Sequence, residues 1–142
     1  MAATYTLGFG RRLINVLVRG GLALGLGEKN TRMLTVAGRK SGKPYSTPVT
    51  LVVEDGTEWI VAPYGERQWV KNLRAAGRAT LSRGRKRREV TVRELTPEEA
   101  IPVIRRYIER VPITAKFWDA KADAPEPEIL AEASRHPVFL VE

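Results

Sequence analysis

Apolar and polar residues along this chain follow two different periods, and the switches between them mark its elements. Arg32–Gly38 (RMLTVAG) and Ser46–Glu54 (STPVTLVVE) carry short β-branched runs bounded by turn residues, the pattern of strands. Asp55-Gly56 supplies a two-residue hairpin turn and predicts a third strand over Thr57–Ala62. The period then changes, because Trp69, Val70 and Leu73 fall at helical spacing within Gln68–Ala76 and Gly77 stops the run. A second hairpin is expected from Arg78–Ser82 and Arg87–Glu94 around Gly84. Thr96-Pro97-Glu98-Glu99 joins a helix N-cap, a proline at the first helical position and a glutamate three residues after the cap, so a helix should run to about Glu109. Pro112, Pro125 and Pro127 punctuate the next stretch, with a short helix near Glu128–Ser134 and a closing strand at Val138–Val141.

Upstream of these elements, the apolar spacing from Leu13 onward predicts a helix over residues 9–24. Arg19 interrupts its apolar run, leaving it short of the roughly 20 residues needed to span a bilayer. With Arg11, Arg12 and Arg19, this helix suits either packing on its own domain or lying on an anionic membrane surface. Residues 1–29 are accordingly read as an amphipathic helix with a linker, and 30–142 as one folded domain. About six strands, arranged in hairpins with three or four helices, argue for an α+β antiparallel fold or small barrel. No Gly-x-Gly-x-x-Gly or P-loop sequence accompanies them.

Composition narrows the chemistry. With no cysteine and one histidine, His136, the 142 residues exclude disulfides, zinc-thiolate and iron–sulfur sites, thiol nucleophiles and a polyhistidine metal centre, so no metal site is expected. Redox chemistry would have to come from a bound cofactor. The net charge of +8 is unevenly distributed: residues 1–43 carry eight basic and one acidic side chain, 44–94 ten and six, and 95–142 six and nine. The basic part of the chain suits phosphates or polyanionic cofactors.

Two segments concentrate that charge. Gly38-Arg39-Lys40-Ser41-Gly42-Lys43-Pro44 places three cations, a hydroxyl and two glycines in a strand-to-strand loop, where N–H groups and side chains converge on an anion. An ordinary solvated turn would have the same composition. Arg83-Gly84-Arg85-Lys86-Arg87-Arg88 has five cations in six residues. It reads as a solvated hairpin tip, without the recognition helix or interleaved aromatics that nucleic-acid binding would require, so no nucleic-acid partner is expected. His136 reads as a turn residue before Pro137. Tyr107, Phe117 and Trp118 read as core, with a lid over an acceptor pocket as the alternative for Phe117 and Trp118.

Gly38-x-Lys40-Ser41-Gly42-x-x-x-x-Thr47-Pro48, Trp69-x-x-Asn72-Leu73-x-Ala75 and His136-Pro137-Val138-Phe139 occur in an order that resembles the deazaflavin-dependent nitroreductase family. The resemblance implies an antiparallel split β-barrel of the flavin-reductase and pyridoxamine-oxidase type with flanking helices. It also implies the coenzyme F-420, an 8-hydroxy-5-deazaflavin, and hydride transfer to a hydrophobic acceptor such as a quinone, enone, nitroaromatic or lipid-like molecule. Lys40, Ser41 and Gly42 would hold the coenzyme's phosphate and acidic tail, and Thr47 and Pro48 would begin the strand beneath its ring. Where the family has an arginine two residues before Thr-Pro, this chain has Tyr45, which leaves Arg39 and Lys43 as substitute cations. Ala62, Pro63, Trp69 and Asn72 complete the expected binding set, and Tyr64 is the expected proton donor to the acceptor. An FMN-dependent reductase of the same fold and a non-enzymatic coenzyme- or lipid-binding protein are the alternatives. The expected setting is the cytoplasm, with peripheral contact at the inner face of the membrane, as a monomer or homodimer.

Overall fold

The computed structural model describes residues 29–142. The helix expected over residues 9–24, and the membrane contact expected of it, lie outside them. Six strands form a closed antiparallel barrel: β1 (Thr31–Ala37), β2 (Pro44–Glu54), β3 (Thr57–Val61), β4 (Arg78–Arg83), β5 (Lys86–Glu94) and β6 (Val138–Val141), neighbouring in the order β1-β2-β3-β6-β5-β4. The barrel is split into two sheets that share β2 and β5. Residues 44–50 of β2 pair with β1 and 51–54 with β3, while 86–91 of β5 pair with β4 and 92–94 with β6. The α+β antiparallel split barrel expected from the sequence is therefore the observed architecture.

Alternation along each strand sorts the two cores. Leu34, Val36, Leu51, Ile60, Ala79, Leu81, Val90 and Phe139 point inward and fill the barrel. Side chains of opposite parity on β2, β3 and β6 (Val52, Val61 and Val138) form a second core with the helices outside. Fully buried residues such as Leu34 and Ile60 each contribute roughly 1.5–3 kcal/mol relative to exposure. The β2–β3 turn takes its shape from Asp55 and Gly56, both at positive φ (49° and 81°), the two-residue geometry that twisted hairpins favour.

Three helices flank the barrel: α1 (Gln68–Ala76), α2 (Pro97–Arg110) and α3 (Glu126–Ala133), with a 3-10 turn at Pro112–Phe117. Gly77 ends α1 in the left-handed conformation, its N–H returning to Leu73 O at 2.8 Å. Thr96 and Glu99 form the expected reciprocal capping box at the start of α2. Arg74 fixes α1 against the barrel, its guanidinium reaching Glu94 Oε1 at 2.7 Å and Glu66 Oε1 at 2.6 Å. Among the described residues no helix is long and apolar enough to cross a membrane.

Candidate functional site

The β1–β2 loop holds its shape through hydrogen bonds of its own. Gly38 N–H donates to Lys43 O at 2.8 Å and Gly42 N–H to Gly38 O at 2.9 Å, and the Ser41 hydroxyl accepts from Lys43 N–H at 3.2 Å. Gly42, at φ 73°, makes the reversal that an L side chain would strain. A Cβ on Gly38 would stand 2.7 Å from Tyr45 Cε2 and 3.0 Å from Ser41 Oγ, so the tyrosine ring and the loop pack over a bare backbone.

Helix α1 holds this loop from the side. Asn72, only 6% exposed, accepts with one oxygen from the Arg39 backbone N–H (3.1 Å) and from Arg39 Nη1 (2.7 Å). Gln68 Oε1 accepts from Arg39 Nη2 at 2.9 Å. The guanidinium is thus oriented by neutral oxygens and retains its full positive charge for an outside partner. Asn72 is the structural hydrogen bonder that an asparagine on a short helix suggests.

Between loop and helix lies a cleft of about 320 Å³, within the size range of small-molecule sites. Its cationic side is formed by Arg39 and Lys40 together with Ser41, and its aromatic side by Tyr45 and Trp69. Tyr45 is 52% exposed, and Trp69 also packs on the barrel core. Of the residues expected from the sequence, Arg39, Lys40, Ser41, Tyr45, Trp69 and Asn72 line this one cleft. Gln68 was missed: a lone glutamine at a helix start carries no motif, and only its contact with Arg39 marks it.

The other expected residues lie elsewhere. Gly42 and Lys43 close the loop, while Thr47 and Pro48 pair with Leu34 and Met33 further along β2. Ala62, Pro63 and Tyr64 form the turn between β3 and α1. The Tyr64 ring meets Phe117 edge-on at 4.8 Å, facing the helical cap rather than lining the cleft. Phe117 and Trp118 are each 5% exposed and belong to the packed cap, so they are core and not a lid.

His136 lies in the turn before β6, as expected, and its side chain is buried there. It is 5% exposed, its Nδ1 lies 3.0 Å from Ala62 O, and the Trp118 ring stacks 4.0 Å away. Burial holds its imidazole below the ordinary histidine range, with the Ala62 carbonyl partly opposing that effect. The buried Glu132 approaches Nε2 at 3.6 Å, while its other oxygen accepts from Asp119 N–H and pairs with Arg135. Since Ala62 N–H donates to Pro137 O at 3.0 Å, the two chain segments lock together on both sides of the β3–α1 turn. The signal missed was topological, because nothing near His136 in sequence places it beside Ala62.

The sequence profile of F420H(2)-dependent quinone reductases matches residues 15–122. No curated protein matches the sequence. Among solved structures, one described as an F420-H2 dependent reductase (FDR-A) is 28% identical, with a TM-score of 0.59 over 80% of this chain and 95% of that one. One described as a domain-swapped dimer is 24% identical, with a TM-score of 0.61 over 94% and 97% of the two chains. A heme-binding protein from Mycobacterium smegmatis, 14% identical with a TM-score of 0.53, covers 85% of this chain and 48% of its own. The last two bear on the fold alone.

Proposed function

The chain belongs to the F420H(2)-dependent quinone reductase family, and from that premise we propose that the cleft between the Gly38–Lys43 loop and α1 seats the reduced deazaflavin and presents it to a quinone-type acceptor. The protein is a deazaflavin-dependent oxidoreductase. The observation that carries the site assignment is the pairing, in one cleft, of two cations with two aromatic faces. A deazaflavin has the same division, with a flat ring at one end and a phosphodiester with carboxylates at the other.

Arg39, Lys40 and Ser41 are the residues that would hold the anionic part, Arg39 already aimed by Asn72 and Gln68. Trp69 and Tyr45 offer planar apolar faces to the ring and exclude water from them. When bound, the reduced coenzyme supplies the hydride, so the protein's task is to position, desolvate and orient. A quinone acceptor fits the same reading, being flat and apolar enough to share an aromatic-walled cleft. Tyr45, at the position where the family resemblance implies an arginine, offers a ring in place of a charge, which leaves the anchoring to Arg39 and Lys40.

Fluorescence titration with reduced and oxidised F-420 and with FMN tests this reading. Deazaflavin should bind more tightly than FMN, and Lys40→Ala should weaken deazaflavin binding about tenfold, as expected for one charge-assisted contact. Tighter binding of FMN, or unchanged deazaflavin affinity in Lys40→Ala, would overturn it.

A further inference from the structure

Gln68 opens α1 beside Trp69, and its amide is only half used. Its Oε1 accepts from Arg39 Nη2 at 2.9 Å, while Oδ1 of Asn72, one turn further along the helix, accepts from Nη1 at 2.7 Å. Positions four apart share a helix face, so the two carboxamides meet the same guanidinium. An arginine has no acceptor to offer. Each amide must therefore turn its oxygen to Arg39 and its NH2 away from it. Among the described residues neither NH2 group has a partner, since the side-chain hydrogen bonds of Gln68 and Asn72 are those their oxygens accept from Arg39. Glu132 Oε2 is the one unpaired buried side-chain atom among those residues, so the Asn72 nitrogen is not sealed in the interior and opens on the cleft that Asn72 lines.

The neighbouring side chains add donors to this rim. Of the five N–H groups of the Arg39 side chain, two serve Asn72 and Gln68 and three are left. The Ser41 oxygen accepts from Lys43 N–H at 3.2 Å, which leaves its hydroxyl hydrogen to donate outward. Lys40 brings an ammonium, and Gln68 and Asn72 keep their acceptor oxygens turned to Arg39. A carboxylate has two oxygens, which a single guanidinium fork satisfies. A phosphodiester spreads its oxygens tetrahedrally and can meet the fork and an amide beside it at once.

We propose that Gln68 is a specificity-determining residue of the coenzyme cleft: its NH2, with that of Asn72 one turn away, donates to phosphodiester oxygens, so that the phosphate and not a carboxylate is the group recognised at Arg39. The proposal rests on the cleft being the coenzyme site. It gives Gln68 a role toward the ligand itself, beyond its hold on Arg39.

Fluorescence titration and nitrogen–proton correlation NMR of the full chain test it. Gln68→Met keeps the side chain's length and removes the amide, and because Gln68 is exposed the Tm should stay near that of the parent. Affinity for F-420 should fall about fivefold to tenfold, as expected for one hydrogen bond to a charged group. Affinity for the phosphate-free deazaflavin, 8-hydroxy-5-deazariboflavin, should be unchanged. Loss of the hold on Arg39 would give the same two affinities, so the amide's own signal decides between them. The side-chain NH2 resonances of Gln68, identified by their absence in Gln68→Met, should move downfield on addition of F-420 and stay in place with the phosphate-free compound. Equal F-420 affinity in the variant, resonances unmoved by F-420, or the same shift with the phosphate-free compound would overturn the proposal. The Lys40→Ala titration keeps it apart from the site assignment: weakened binding there with no effect of Gln68→Met removes Gln68 alone, whereas unchanged binding in both variants removes the cleft as well.

Discussion

Replacing Asn72 with alanine removes one oxygen that serves two donors, and the loss can be followed at two levels. The Arg39 backbone N–H at 3.1 Å and Nη1 at 2.7 Å would both lose their acceptor. A neutral bond of this kind contributes about 1 kcal/mol and one to a charged donor about 1.5–3 kcal/mol. Since the site is part-exposed and water can replace some of the loss, the net cost should be about 2 kcal/mol. In a chain of this size that corresponds to roughly 6–8 °C in Tm. The second level is binding, because an unheld arginine must be ordered by the ligand, which costs about 0.5–1.5 kcal/mol and weakens the coenzyme by a few-fold to about tenfold. Thermal melting and fluorescence titration read the two separately. Asn72→Asp retains the acceptor and should keep Tm close to the parent, while its negative charge pairs with Arg39 and weakens binding of the anionic coenzyme, and in an Arg39→Ala background the Asn72→Ala change should have much less effect on affinity. A fall in Tm with unchanged affinity in Asn72→Ala would refute the claim that Asn72 aims Arg39 into the cleft.

Gly38→Ala introduces a methyl 2.7 Å from Tyr45 Cε2, and because the ring can swing outward, coenzyme affinity should fall while Tm changes little; a titration matching the parent would show that the placement of Tyr45 is immaterial. His136 supplies a pH test. Its folded pKa lies below the ordinary 6.5, so as pH falls through that value the unfolded chain takes up a proton that the folded chain refuses, and stability declines by up to about 1.4 kcal/mol per pH unit until the folded pKa is reached. Above about pH 6.5 this contribution is complete. Melting curves from pH 7.5 to 5 should show the decline in the parent and a flatter profile in His136→Gln, and equal slopes would rule out His136 as its source.

The elements were legible where signals were local. Asp55-Gly56, the Thr96–Glu99 box and the Gly77 stop each state their structure within a few residues, and the corresponding turn, cap and terminus follow them. The composition of the Arg39–Ser41 loop suited an anion-binding segment and a solvated turn alike. Partnerships across the barrel were not legible. Gln68 and Asn72 acquire roles only when α1 docks beside that loop, and His136 only when Pro137 pairs with Ala62. At Arg83–Arg88 composition read the setting correctly, since residues 85–88 are exposed at the hairpin tip.

The position of β6 has a kinetic consequence. Val138 pairs with Val61, 77 residues earlier, and the strand fills the gap between β3 and β5. A nascent chain that has released β1 through β5 but not β6 holds two unpaired edges, with Ile60 and Phe139's future neighbours exposed to other chains. Such long-range closure is intrinsically slow. The interval before it is the period in which chaperone capture or intermolecular strand pairing competes with folding, and slower translation of the α2–α3 segment should prolong it.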